Sequence, residues 1–321
     1  MRNYSITTQE LQIHAGFFVA GATCKLATNS RVVADSLFRV GAPACAVSPR
    51  SFEMSVLVDS SIVRNTEAAP HFRGLHHLVF AVFNQRETFS FDLSRNAMFG
   101  VVSPETAQDD RFWNRLLLPI AIGVLGTMIE VVPFHAACLD ESGRALMIVG
   151  PSGSGKSTLA VALAKRGFSL VADDWTYITL DSGQLRAHGL RAPVKLLPTA
   201  TDFFPELGRF EPAKSLNGEI AYEVDAAEAF SAQFRLVSEP SQLLFLQRVE
   251  EPVCDFSRFS GGEAKRFFET SAERLPAEFA SAAAKRSQTI DELTKLDCWL
   301  IRTGLPPDAT AQAVRRFCDG N

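Results

Sequence analysis

The 321-residue sequence has no Cys-x-x-Cys pair, no run of Lys and Arg interleaved with aromatics, and no long uncharged apolar stretch. Each of these gaps excludes something. Cys24, Cys45, Cys138, Cys254, Cys298 and Cys318 are scattered, a spacing that signals neither a zinc site nor a disulfide framework and predicts buried free thiols. The formal charge is only −4, and without a basic cluster there is no electrostatic footprint for nucleic acid. The longest uncharged stretch, Leu116 to Ile129, is 14 residues long, contains Pro119 and is closed by Arg115 and Glu130. That length predicts a buried core helix and no membrane span. Met1 to Glu10 carries polar and charged groups but no apolar signal core, so a cytoplasmic location is expected.

What is present describes a globular protein: 46% apolar residues and 21% charged. At roughly 100 to 200 residues per domain, the length suits two closely joined domains. The first, 1–130, is expected to be a small α/β or β-rich domain, with strands over Phe52 to Val63, His76 to Asn84 and Glu87 to Asp92. A long helix over Asp109 to Met128, kinked near Pro119, leads out of it. In the second, 131–321, Phe134 to Leu139 and Ala145 to Val149 read as strands joined by a turn at Asp140 to Gly143. Lys156 to Arg166 reads as a helix capped by Gly167, and Ser169 to Ala172 as a buried strand. Gln242 to Gln247 and Cys298 to Arg302 are further core strands, Thr310 to Phe317 a closing helix, and 196–220 a loop region near the site. The fold class is α/β.

Gly150-Pro151-Ser152-Gly153-Ser154-Gly155-Lys156-Ser157-Thr158 fits G-x-x-x-x-G-K-[ST], with an apolar strand before it and a helix after it. Glycines let successive backbone N–H groups and the helix N-terminus converge on phosphate oxygens. Lys156 can reach the β- and γ-phosphates, and the Ser157 hydroxyl can enter a Mg²⁺ shell, so ATP and Mg²⁺ are the expected cofactors. Asp173 and Asp174 end the strand after the loop's helix, where open α/β sheets bind ligands. One can hold Mg²⁺ and the other can accept the proton of an attacking hydroxyl. His135 precedes Lys156 by 21 residues, on the strand before the loop's own strand. By itself it is more readily a satisfied core group than a catalyst.

Together, the run His135 to Asp140 (HAACLD), the loop Gly150 to Thr158, and Lys165 to Asp174 (KRGFSLVADD) resemble the catalytic core of the HPr kinase/phosphorylase family. The resemblance covers about 40 residues. It implies a fold similar to phosphoenolpyruvate carboxykinase and transfer of phosphate from ATP to a serine hydroxyl of a carrier protein. It also implies that Lys156 holds phosphate, Ser157 holds Mg²⁺, Asp174 is the general base, and Asp173 and His135 support it. Where the family has Glu-Ile-Arg-Gly, this chain has Arg186-Ala-His-Gly189, which lacks the carboxylate, so the resemblance does not carry the phosphorylase reaction. The first 130 residues show no clear likeness to the family's N-terminal domain, and the layout looks closer to HPr-kinase-like proteins of modified-peptide pathways, including lasso peptide kinases. The acceptor is expected to be a protein or peptide; a metabolite kinase or a slowly hydrolysing nucleotide switch are the alternatives.

Lys195, Lys214 and Arg191 follow the core and are candidates for steadying a transferring phosphoryl group, with solvated surface lysines as the plainer reading. Phe259 to Glu263 (FSGGE) imitates an ABC-ATPase signature, but no strand ending in Asp-Glu follows it. A helix N-terminus, with Ser260 as cap and Glu263 at the capping-box position, is predicted instead.

Overall fold

The computed structural model of the chain describes residues 11–43, 49–64, 70–83, 86–215, 218–271 and 279–320. The expectations that fall on Met1 to Glu10, Cys45 and Asn84 lie outside those residues. The fold is mixed α/β, and the chain divides into two compact units, one ending at Val131 and one beginning at Val132.

The first unit is built on an eight-stranded sheet. A hairpin of Ile13–Val19 and Ala22–Thr28 runs into parallel pairing with Ser51–Val58, which itself pairs in parallel with Ala97–Val102. Thr88–Asp92, Leu78–Val82 and His71–Leu75 continue it antiparallel to the edge. Two strand expectations need correcting. Ser51–Val58 stops before Asp59, whose carboxylate accepts from the Ser61 N–H and closes a turn there. His76 is the turn residue of a hairpin, with φ of +53°, so the strand expected from His76 begins only at Leu78, as Leu78–Val82, and pairs with an unforeseen strand before it, His71–Leu75.

The helix expected over Asp109 to Met128 is three helical types in series. Phe112–Leu117 is a π-helix, Leu118–Leu125 is α and Gly126–Ile129 is 3₁₀. Pro119 explains the wide turn: it has no N–H, its ring would press on the carbonyl four residues back, and the Leu118 N–H reaches five back to the Trp113 carbonyl. The helical run begins at Phe112, ahead of the uncharged stretch, and its 18 residues are long and apolar enough to cross a membrane. The 14-residue length from Leu116 therefore does not exclude a span. Its 56% burial within the protein is what fits a core helix, with Trp113 and Leu117 fully enclosed.

The second unit centres on a larger sheet whose core order is Ser169–Ala172, Ala136–Glu141, Arg144–Val149 and Val237–Arg248. The 12-residue strand Val237–Arg248 runs parallel to Arg144–Val149 on one side. On its other side it pairs near its start with Gln184–His188, and further along in parallel with Asp297–Thr303. Pro240 cannot donate to the ladder, and a register shift beside it is bridged by the Ser241 hydroxyl donating to the Ala145 carbonyl at 3.1 Å. Both faces are buried, which is why the central strands read as continuous apolar runs. Leu146, Ile148, Leu244 and Leu246 pack with the helices Lys156–Ala164 and Pro307–Gly320. Met147, Val149, Leu243 and Phe245 pack with residues of Gly261–Ser271 and Ala280–Leu293.

Two further differences from the sequence reading, and one agreement with it, concern this unit. The apolar run Phe134 to Leu139 is broken at His135 into Val132–Phe134 and Ala136–Glu141. The stretch 196–220 is not mere loop: it holds 3₁₀ turns at Pro198–Asp202 and Pro205–Arg209 and part of a three-stranded sheet of Val194–Leu196, Ile220–Val224 and Ala213–Lys214. At Ser260 the capping box forms, with the Glu263 N–H donating to the Ser260 hydroxyl at 3.2 Å and the Ser260 N–H to Glu263 Oε2 at 2.9 Å. The helix Gly261–Ser271 follows, and among the described residues no strand comes between it and Asp297–Thr303, too far on for an ABC signature.

Candidate functional site

The site collects where fully buried strands end. Ala136 pairs with Val149 across the hairpin, and Val149 with Phe245 across the parallel ladder. The start of one strand and the ends of two others thus lie on one line. His135, Gly150 and the end of Val237–Arg248 therefore share an edge, and Asp173 joins them from the end of Ser169–Ala172.

The glycine loop turns the chain from Val149 into the helix Lys156–Ala164. Gly153 and Gly155 have φ of +77° and +94°, a conformation that favours glycine. A side chain at Gly150 would meet the Ser154 hydroxyl at 2.8 Å and the Leu246 carbonyl at 2.9 Å, so the loop must close tightly against the neighbouring strand. Lys156 is buried, and its ammonium donates to the Gly150 and Pro151 carbonyls at 2.9 and 3.1 Å. Burial pulls its pKa below the ordinary lysine value, and Asp174 and Asp173 push it back up.

His135 and Asp174 meet through strand pairing. Thr176 faces Phe134 in the register, and its buried hydroxyl donates to the Ala136 carbonyl at 2.8 Å. That lock brings His135 Nε2 to 3.1 Å from Asp174 Oδ1, with both side chains nearly half exposed. The Trp175 ring lies 5.6 Å from the His135 ring, tilted by 37°. Asp173 differs from its neighbour: it is buried, and its Oδ2 accepts from the Lys195 backbone N–H at 3.1 Å.

One cavity of about 550 Å³ is lined by His135, Ser152 to Leu159, Asp173, Asp174 and Lys195, and also by Phe203, Glu219, Arg248 and Thr303. It brings together His135, Lys156, Asp173, Asp174 and the Ser152 to Thr158 part of the glycine loop. Lys195 lines it; Lys214 and Arg191 do not, and Arg191 is exposed. Asp140, within the HAACLD run, is buried behind the site, where it accepts from the Ser238 hydroxyl and pairs with Arg235 Nε at 3.0 Å. Arg186-Ala-His-Gly189 belongs to the strand Gln184–His188, with His188 buried against the Thr179 hydroxyl at 3.0 Å, away from the cavity lining.

Sequence reading missed Glu219 and Arg248. Arg248 ends the strand that runs parallel to the loop's own strand, and its Cδ lies 4.0 Å from where a Gly155 side chain would be. The rule that found Asp173, a charged group at the carboxyl end of a core strand, would have found it had the expected strand run one residue past Gln247. Glu219 had no such signal.

The residues fit a magnesium nucleotide. Among the described residues the buried Ser154 hydroxyl has no hydrogen-bond partner, and Gly153 has open space where a side chain would project. Ser157, Asp173 and Asp174 offer the hard oxygen donors that Mg²⁺ takes, usually together with substrate phosphates. Among the described residues no group of three or more His, Cys, Asp or Glu could hold a metal by itself, so such an ion would depend on phosphate oxygens.

No protein-family profile matches the chain. Over 63 residues it is 41% identical to the HPr kinase/phosphorylase of Clostridium beijerinckii, a stretch covering 20% of this chain and 21% of that protein. Over 48 residues it is 46% identical to the HPr kinase/phosphorylase of Alkaliphilus metalliredigens, covering 15% and 16%. The match thus spans about a fifth of the curated relatives' length. A solved structure of the Hpr(Ser) kinase/phosphatase from Coxiella burnetii is similar over 58% of this chain and 95% of that one, at 16% identity and a TM-score of 0.29. Over these two stretches of close sequence identity, the chain resembles the HPr kinase/phosphorylases.

Proposed function

We propose that the protein is a cytoplasmic Mg-ATP-dependent phosphotransferase that moves the γ-phosphate to a serine hydroxyl of a protein or peptide. The reading rests on one juxtaposition: the His135–Asp174 pair and Lys156 open onto the same cavity at the end of the glycine loop's strand. The loop's N–H groups and Lys156 bind the phosphates. The acceptor oxygen attacks the γ-phosphorus in line, and the bond from that phosphorus to the bridging oxygen breaks. ADP leaves with the electron pair, and the hydroxyl proton passes to the Asp174 carboxylate. His135 donates to the other oxygen of that carboxylate and fixes its orientation. Mg²⁺, held by Ser157 and an aspartate with the phosphates, would neutralise charge on the β- and γ-oxygens. Asp173, clamped by the Lys195 amide, suits the metal side better than the base, because its exposure is far smaller.

The domain boundary belongs to the same proposal: 131–321 catalyses and 1–130 recognises the acceptor. Full, selective activity after removal of residues 1–125 would refute that division.

The test is transfer from γ-labelled ATP with Mg²⁺ into a desalted extract of the source cells and, separately, into their small-molecule fraction. Label is expected in an acid-stable polypeptide, absent with Lys156→Ala. Asp174→Asn should lower transfer by about 10²- to 10⁴-fold, the usual worth of a positioned base, while nucleotide still binds. Label confined to the small-molecule fraction would make it a metabolite kinase, and free phosphate alone would make it a nucleotide switch.

A further inference from the structure

We propose that Lys195 is a second phosphate-binding cation of this site, one that engages the terminal phosphate of a bound nucleoside triphosphate and leaves Glu219 to do so. The inference rests on the reading of the cavity as a magnesium-nucleotide site and adds a residue that tells three phosphates from two.

Strand geometry aims the side chain. In Val194–Leu196, Val194 and Leu196 are almost wholly buried in the core, and alternation turns Lys195 to the opposite side, where it lines the cavity with Lys156 and Asp173. Its backbone is fixed there, because its N–H holds Asp173 Oδ2 at 3.1 Å. Its ammonium rests 2.6 Å from Glu219 Oε2, with side-chain exposures of 21% and 56%. Glu219 is itself held in a turn, its carbonyl accepting from the Ser215 N–H at 2.8 Å, and it lines the same cavity.

Charge then decides which partner wins. Asp173, Asp174 and Glu219 stand in the cavity against Lys156 and Arg248, so a terminal phosphate entering beside the carboxylates gains from a further positive charge. A half-exposed carboxylate holds a lysine weakly, since water competes for both groups. A phosphate offers greater charge and several acceptor oxygens, and the four-carbon lysine stem can swing to it while the backbone bond to Asp173 stays closed. ADP ends one phosphate short and leaves the Lys195–Glu219 pair in place.

The experiment is calorimetric binding of Mg-ADP and of the magnesium complex of a non-hydrolysable β,γ-imido ATP analogue to the full chain. Lys195→Met should weaken the analogue by about tenfold or more, the scale of one charge-assisted hydrogen bond, while ADP changes less than about twofold. Lys195→Arg should restore much of the difference, and Glu219→Gln should tighten the analogue alone. Thermal melting of each variant distinguishes a folding defect from a missing phosphate interaction, because the amide that holds Asp173 survives every one of these substitutions. Equal losses for ADP and analogue, no loss, or weaker analogue binding by Glu219→Gln would each overturn the assignment. A wild-type chain that binds neither nucleotide would overturn it by removing the magnesium-nucleotide reading itself. One that binds both yet phosphorylates nothing would leave the Lys195 contrast standing and sink only the transferase.

Discussion

The two sheets of this molecule bury their strands differently. In the first unit, Thr88–Asp92 and Ala97–Val102 alternate strictly between buried and half-buried residues, the mark of a sheet with one face in the core. In the second, Ala136 to Asp140 and Ala145 to Val149 are buried residue after residue. A sheet buried on both faces has no side left for polar chemistry. Its functional groups must gather where strands stop, and His135, Gly150, Asp173 and Arg248 all stand at such ends. The one-sided sheet has no comparable constraint, and no motif in it announced a role.

Two glycines offer the hardest test of that contrast. A side chain at Gly189 would lie 1.5 Å from the Val171 carbonyl, a backbone atom two residues before Asp173, so a strand of the two-sided sheet would have to move. Gly189→Ala should destabilise the second unit by about 3 kcal/mol or more in urea unfolding, at the upper end for overpacking, and remove nucleotide binding with it. Gly100 lies opposite Phe89 in the register, and its added carbon would meet that fully buried ring at 2.1 Å. There the obstacle is a side chain that can shift, so Gly100→Ala should cost about 1–3 kcal/mol. It should leave nucleotide binding by the second unit intact. If Gly100→Ala abolished binding as fully as Gly189→Ala, the two sheets would be one cooperative body and the comparison would break.

Legibility in the sequence followed the same division. Strands of the second unit announced themselves because apolar runs such as Ala145 to Val149 have no other stable use, and the glycine loop carries its own chemistry. Ser169–Ala172 was read to the residue, since Gly167 and the two aspartates punctuate it. The first unit was read poorly. Its alternation is interrupted by turns, at Asp59 and at His76, that hold no glycine or proline to mark them. The pairing of His135 with Asp174 was not readable from spacing at all, because it depends on the antiparallel register of Thr176 with Phe134. Family resemblance supplied the idea that His135 supports Asp174, and the register supplies the physical reason the two can meet. Residues 196–220 read as loop because they are rich in Pro, Gly and charge, yet short 3₁₀ turns and two-residue ladders tolerate all three.

A milder substitution checks that the helices covering the two-sided sheet are separable from its chemistry. Ser260→Ala removes the hydroxyl that accepts from the Glu263 N–H and should cost about 1 kcal/mol, the usual worth of a helix cap. Affinity for nucleotide should not change. A fall in affinity larger than the loss of stability accounts for would place Gly261–Ser271 in communication with the cavity.

The smallest expected effect concerns Lys156 and comes from its burial at the very end of a buried strand. Folding takes its ammonium out of water, so its pKa drops below the ordinary 10.5, with Asp174 and Asp173 limiting the drop. Between the folded and unfolded values, the unfolded chain holds more protons than the folded one, and the slope of stability with pH is positive. The cost of burying the charge is thus fully present at neutral pH, and it fades as pH climbs through the folded pKa toward 10.5. Wild type should therefore gain on Lys156→Met over that range. Urea unfolding of both proteins at several pH values gives the difference directly, and titrations common to the two cancel. A flat difference would mean that the ammonium keeps its water despite the closed loop around it. Lys156 would then be an ordinary surface cation, and the two-sided sheet would impose nothing on the residue at its edge.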